Sequence, residues 1–190
     1  MQRLFTVNKT VLSEFGHWSR PLPSLTQNRV RLTISKFAFT ANNMTYAHAG
    51  GPPLNYWHFY DYLTLNPSQR FTSKQGVIPV WGFAEVTQSR NPAISEGTRF
   101  YGYYPMSNTI DFDPTKPSLH GFTSPRYDPA LAAVYNTYMN TATDPFYTDP
   151  AGESAMMIFR PLFLTSFMLA DYIERVTSNV EQVVLTSASR

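Results

Sequence analysis

Asn42, Asn43 and Tyr46 place two amides and a phenol within five residues, directly after a strand-like stretch. Amides and phenols hydrogen-bond uncharged oxygen, so this group is suited to fixing a substrate carbonyl. A second reading stands beside it, in which Asn42 caps the short helix that follows. A phenol titrates at about 10, and no sequence neighbour of Tyr46 lowers that value. Tyr46 is therefore read as a binding group and not as a proton-transfer group. His48 either enters the same cleft or stands at the surface. The four histidines, His17, His48, His58 and His120, lack the i, i+4 spacing that puts two ligands on one helical face. With no cysteine in the chain, thiolate nucleophiles, disulfides and Cys-rich zinc sites are excluded. No metal is expected.

The run Tyr56-Trp57-His58-Phe59-Tyr60-Asp61-Tyr62 either stacks on a planar ligand or packs as an insertion over the barrel mouth. Base binding lacks its electrostatic half, because no Lys or Arg lies between Pro53 and Gln69 and the net charge is only +2. Nucleic acid is not an expected partner. Met156, Met157 and Met168 read as adaptable packing. Glu85 sits in an apolar strand, so it faces solvent or is buried with a partner such as Arg99.

These groups need a frame, and the 190 residues, 43% apolar and 15% aromatic, are enough to build one. Val30, Leu32 and Ile34 alternate with polar residues, then Phe37 and Phe39 continue in the opposite phase. The period is that of a half-buried strand, and the slip predicts a bulge near Ser35-Lys36. Val77 to Val86 suits a buried strand that Pro79 starts and Gly82 bends. Short strands are expected at 98–101 and 107–112, so a partly open barrel is predicted from about residue 3 to 115. Asp113 to Pro125, with three X-Pro steps, is read as a loop. Asp128-Pro129 starts a predicted helix at 129–141, in which Leu131, Val134, Tyr135, Tyr138 and Met139 share a face. Asp149-Pro150 starts another at 151–159, Pro161 ends it, and a third runs over 162–176. Val180 to Ser187 reads as a strand. Pro161 to Ile173 is taken as too short to span a bilayer, and the first nine residues lack a signal-peptide core, so a cytoplasmic protein without membrane contact is expected.

Gly97-Thr98-Arg99-Phe100-Tyr101-Gly102 resembles the Gly-Asp-Arg-Val-x-Gly turn of the medium-chain dehydrogenase/reductase superfamily. Pro79 to Val86 resembles that superfamily's preceding Pro-x-x-Gly strand, and Met44 to Gly50 is similar to the Thr-Tyr-x-x-x-Gly stretch beside the substrate cleft of its quinone-reductase branch. Pro161 to Phe167 is similar to the helix that leads from its barrel into its nucleotide-binding domain. The whole looks most like a zinc-independent offshoot with no assigned reaction.

The resemblance implies an α+β chain: a GroES-like, partly open β-barrel over 1–150, with the aromatic insertion, then linking helices and the first strand of an incomplete Rossmann-type domain over 151–190. Phe83 stands where zinc-dependent relatives carry a histidine ligand. The Gly-rich turn that would hold a pyrophosphate is not reached by Arg190, so the chain is read as a fragment or a natural truncation. It implies no cofactor for this chain and NADP for a full-length relative, with Thr165 at most touching the nicotinamide end. It further implies a small-molecule substrate bound by Asn42, Asn43, Tyr46 and His48. The expected function is the substrate-side domain of an NAD(P)-linked oxidoreductase-like protein, inactive alone; the alternative is a non-catalytic binding or interaction domain. The unpaired edge of Val180 to Ser187 makes self-association an expectation.

Overall fold

The computed structural model describes residues 1–60, 74–124, 132–176 and 182–184. It is a mixed α+β chain. Among the described residues ten strands follow in chain order: β1 (Gln2–Asn8), β2 (Phe15–Arg20), β3 (Val30–Phe37), β4 (Gln75–Gly76), β5 (Pro79–Ser89), β6 (Arg99–Pro105), β7 (Thr109–Phe112), β8 (Thr115–Ser118), β9 (Gly121–Thr123) and β10 (Thr137–Asn140). Helix α1 (Ala41–His48) links β3 to β4, and α2 (Glu153–Val176) follows β10. Seven strands form an antiparallel, curled half-barrel in the order β7-β3-β5-β6-β10-β9-β8, and a small sheet has the order β2-β1-β4.

The phase slip in β3 is a bulge in the structure: the register with β5 shifts between Ile34 and Lys36. Opposite it, Gly82 pairs with Phe37, and a Cβ there would lie 2.5 Å from the Lys36 carbonyl oxygen. The close approach of two backbones at the bend thus requires glycine. Val30, Leu32, Val80, Phe83, Val86, Tyr103 and Tyr104 are buried and form one core with Phe59, Tyr60 and Tyr138.

Three sequence expectations are corrected here. Strands do not stop near residue 115, because β8 and β9 continue the sheet through the segment read as a loop. Pro117 sits on the edge strand β8, where proline is tolerated, and Lys116 before it is at φ 49° inside the register shift between Thr115 and Ser118, so an irregularity of the edge strand takes up the X-Pro step. The helix at 129–141 is absent from its described part: Ala133–Asn136 is a 3₁₀ turn and Thr137–Asn140 is β10, paired with β6 and β9. Aromatic and β-branched residues fit a sheet as well as a helix, and long-range packing decides. Tyr138 is buried at 4.3 Å from Phe112 and 4.9 Å from Phe122, and its hydroxyl donates to the Tyr103 carbonyl at 3.0 Å. The Asp128-Pro129 start lies outside the described residues.

The helices expected at 151–159 and 162–176 are one helix, with Pro161 inside it. Asp149 does mark the approach, accepting from the Ala151 and Gly152 amides at 2.7 and 2.9 Å. Pro161 removes one hydrogen bond without ending the helix, since strong helix formers lie on both sides and the first turn is anchored in the sheet. At 24 residues, and about 36 Å by the rise per residue, α2 is long and apolar enough to cross a membrane by length and composition. The length argument made for Pro161 to Ile173 therefore fails. Of the strand expected over 180–187, only 182–184 is described, with no regular element.

Candidate functional site

Thr40 caps α1, and Asn43 holds the cap in place. Its Oδ1 accepts from the Thr40 amide at 2.6 Å and from the Thr40 hydroxyl at 3.2 Å, while its Nδ2 donates to the Pro79 carbonyl at 2.9 Å. Asn43 is buried, so both ends of its amide tie α1 to the start of β5. Asn42 is not the cap. It stands exposed one position earlier, free to face a neighbouring cleft.

That cleft, of about 220 Å³, has two walls. One comes from the end of β3 through α1: Ala38, Thr40, Ala41, Asn42, Asn43 and Tyr46, with Trp81 of β5 beside them. The other comes from α2: Met157, Ile158, Pro161 and Leu162. Tyr46 is half-buried, stacked on Tyr56 at 4.5 Å and edge-on to Tyr103 at 6.1 Å. Burial and the nearby Tyr56 phenol push its pKa above the ordinary tyrosine value, against a hydrogen bond with the Trp81 side chain. Near neutral pH the phenol thus keeps its proton, as a hydrogen-bond donor requires. Trp81 lies parallel to Tyr101 at 5.4 Å, which fixes its plane. No lining side chain carries a charge. The lining therefore offers hydrogen-bonding groups without a charge, and a charged group placed there would find no opposite charge among these side chains.

Of the residues singled out in the sequence, Asn42, Asn43 and Tyr46 come together in the cleft, and His48 and Thr165 are not in its lining. His48 is exposed on the last turn of α1, and the exposed Thr165 hydroxyl donates to the Pro161 carbonyl at 3.0 Å. Sequence reasoning missed Trp81 as a lining residue, and it missed Ile158, Pro161 and Leu162 because the second wall is contributed from more than 100 positions beyond α1. Only the placement of Trp81 in a buried strand hinted at its orientation.

The aromatic run packs inward in its described part: Trp57 lies against Val7, Ala47 and Ile78, and Phe59 and Tyr60 join the main core. Asp61 and Tyr62 lie outside the described residues. Met157 is buried, whereas Met168 is exposed. Glu85 is exposed, and although Arg99 faces it across the sheet, the Arg99 guanidinium pairs with Glu153 instead, at 2.6 and 2.8 Å.

Phe83 is buried against Tyr101 and Tyr147, at 5.2 and 5.8 Å, with the Arg99 guanidinium over its ring. Among the described residues no cluster of three metal-binding side chains occurs. Metal analysis of the purified protein is expected to find zinc well below one equivalent; one tightly held zinc per chain would contradict the reading of Phe83 as packing.

A family profile described as a protein of unknown function, DUF2855, matches residues 37–190. The chain belongs to that family. Among solved structures it is similar to CurA from Vibrio vulnificus, at 11% identity and a TM-score of 0.42, over 63% of this chain and 34% of that one. The chain spans about a third of the length of that protein. No curated protein matches it.

Proposed function

We propose that this chain is the substrate-side domain of a zinc-independent, NAD(P)-linked oxidoreductase-like protein of the cytoplasm, with the cleft between α1 and α2 as its substrate site. One observation carries the reading: the second wall of the cleft is α2, whose Pro161–Phe167 stretch is similar to the helix that leads into a nucleotide-binding domain in the medium-chain dehydrogenase/reductase superfamily. A ligand in the cleft would then lie at the junction that a cofactor-bearing domain reaches. The exposed apolar side chains of α2, among them Phe159, Phe163, Phe167, Met168 and Tyr172, are the surface such a domain would cover. Hydride chemistry belongs to the nicotinamide. The chain's own part is to orient a carbonyl, with the Tyr46 phenol and the Asn42 amide as donors and Trp81 as a flat wall.

Calorimetric titration of residues 1–190 with NADPH is expected to give no saturable heat, because a pyrophosphate needs the backbone donors of a Gly-rich turn and the helix behind it. A protein that carries a following nucleotide-binding domain is expected to bind NADPH. In it, Asn42→Ala with Tyr46→Phe should raise KM for a small carbonyl by about tenfold to a hundredfold, the worth of one or two hydrogen bonds, at unchanged NADPH affinity. Micromolar NADPH binding by residues 1–190 would refute the assignment, and failure of the longer protein to bind would favour a non-catalytic interaction domain.

A further inference from the structure

Pro161 stands in the middle of α2, and both Pro161 and Met157 line the cleft. In an α-helix the carbonyl of residue i accepts from the amide of residue i+4. Pro161 has no amide hydrogen, so the Met157 carbonyl lacks its helical donor. Residues four apart lie one above the other on the same face, and the carbonyl of the first points along that face toward the second. Met157 is also buried, so solvent is a poor substitute for the missing donor. One turn later the Thr165 and Ser166 hydroxyls donate to the carbonyls of Pro161 and Leu162 at 3.0 and 3.1 Å. Carbonyl pairing beyond the proline is thus reinforced by side chains, and among the described residues no side chain donates to the Met157 carbonyl.

We infer that the Met157 carbonyl is a built-in acceptor of the cleft, and that Pro161 keeps it available for a ligand that carries a hydroxyl. The inference rests on the cleft being a ligand site and adds a polarity to it. The α1 wall presents the donors Asn42 and Tyr46, and the α2 wall presents an acceptor. An alcohol satisfies both walls. The ketone of the same skeleton can satisfy only the first, so Met157 selects the hydroxyl-bearing member of the pair.

The test compares cyclohexanol with cyclohexanone, two uncharged rings of one size, by NMR of protein carrying ¹³C-methyl methionine. Met157 lines the cleft and serves as the reporter. The wild-type chain is expected to bind the alcohol about threefold to tenfold more tightly, the net worth of one hydrogen bond. Pro161→Ala restores the missing amide, which closes the acceptor. That variant should lose the preference and bind both rings alike, while its thermal midpoint rises because the helix regains a bond.

Equal binding of both rings by the wild type overturns the inference and leaves the cleft standing. Binding of neither ring overturns both. A loss of affinity in Pro161→Ala shared equally by the two ligands reports only the missing proline ring and overturns the inference. A lower thermal midpoint in that variant also overturns it, because it would mean that the proline was not withholding a helical bond.

Discussion

Replacing Glu153 by glutamine is expected to destabilise the chain by about 2–4 kcal/mol, read as a lower denaturation midpoint at unchanged slope. The carboxylate is buried and accepts from Arg99 at 2.6 and 2.8 Å and from the Tyr147 hydroxyl at 3.1 Å, while the Lys36 ammonium lies 3.1 Å away. Removing one partner of a buried ion pair costs about 3–5 kcal/mol, since the other charge is left uncompensated. Arg99 and Lys36 keep part of their surface in water, which sets the lower figure. Burial alone would raise the Glu153 pKa, but the hydrogen bonds from Arg99 and Lys36 outweigh it and hold the carboxyl below its ordinary 4.5. The sign follows from linkage. A carboxyl whose folded pKa is depressed contributes stability that is complete above the unfolded value and is lost as pH falls through the folded one. The gap between wild type and Glu153→Gln should therefore be constant near pH 7 and close below about pH 4. A gap that persists unchanged into acid would show that the ion pair is not its source.

The same carboxylate bears on function, because it stands at the first residue of α2, one turn before Met157. Arg160, paired with Asp144 and set over the Tyr101 ring at 4.9 Å, gives the helix a second tether. Between these two anchors lie Met157 and Ile158, and Pro161 and Leu162, the rest of the α2 wall, follow directly after the second. Glu153→Gln is expected to shift the Met157 methyl resonance along with the loss of stability.

How much of this was legible in the chain depends on the range of the interaction. The β3 alternation, its bulge and the entry of β5 at Pro79 are local patterns, and they read correctly because period and proline chemistry act over a few residues. The pairing of Arg99 with Glu153 spans 54 positions, and the strand facing Arg99 offered Glu85 as a plausible partner, so no local signal favoured the true one. Pro161 illustrates the opposite fault. The rule that proline ends a helix describes a single lost bond, whereas α2 is set by its anchors and by the apolar residues around the proline. Part of one wall of the cleft was legible for the same reason. Asn42, Asn43 and Tyr46 share one turn of chain, while the α2 wall depends on where the long helix crosses the barrel.

Gly121→Ala is expected to be among the most damaging single substitutions in the sheet, at roughly 2–6 kcal/mol, the sum of two costs. Gly121 has φ of 136°, a conformation that an L side chain rarely adopts, worth about 1–3 kcal/mol. A Cβ would also lie 1.9 Å from the Tyr138 carbonyl oxygen, and overpacking of this kind costs about 1–3 kcal/mol or more. The obstacle is backbone of the neighbouring strand and cannot swing aside as a side chain would. It exists only because residues 137–140 form β10, with Met139 opposite Gly121 and Tyr138 opposite Phe122. Were that segment the helix its apolar spacing suggests, no carbonyl would stand over Gly121 and the substitution would cost only the strain of its φ. Gly97 supplies the control, since it is also at positive φ (82°) but a Cβ added there would meet nothing within 4 Å. Denaturation of Gly97→Ala measures the conformational term alone, and Gly121→Ala must exceed it clearly. Equal losses at the two positions would mean that β10 does not lie against β9.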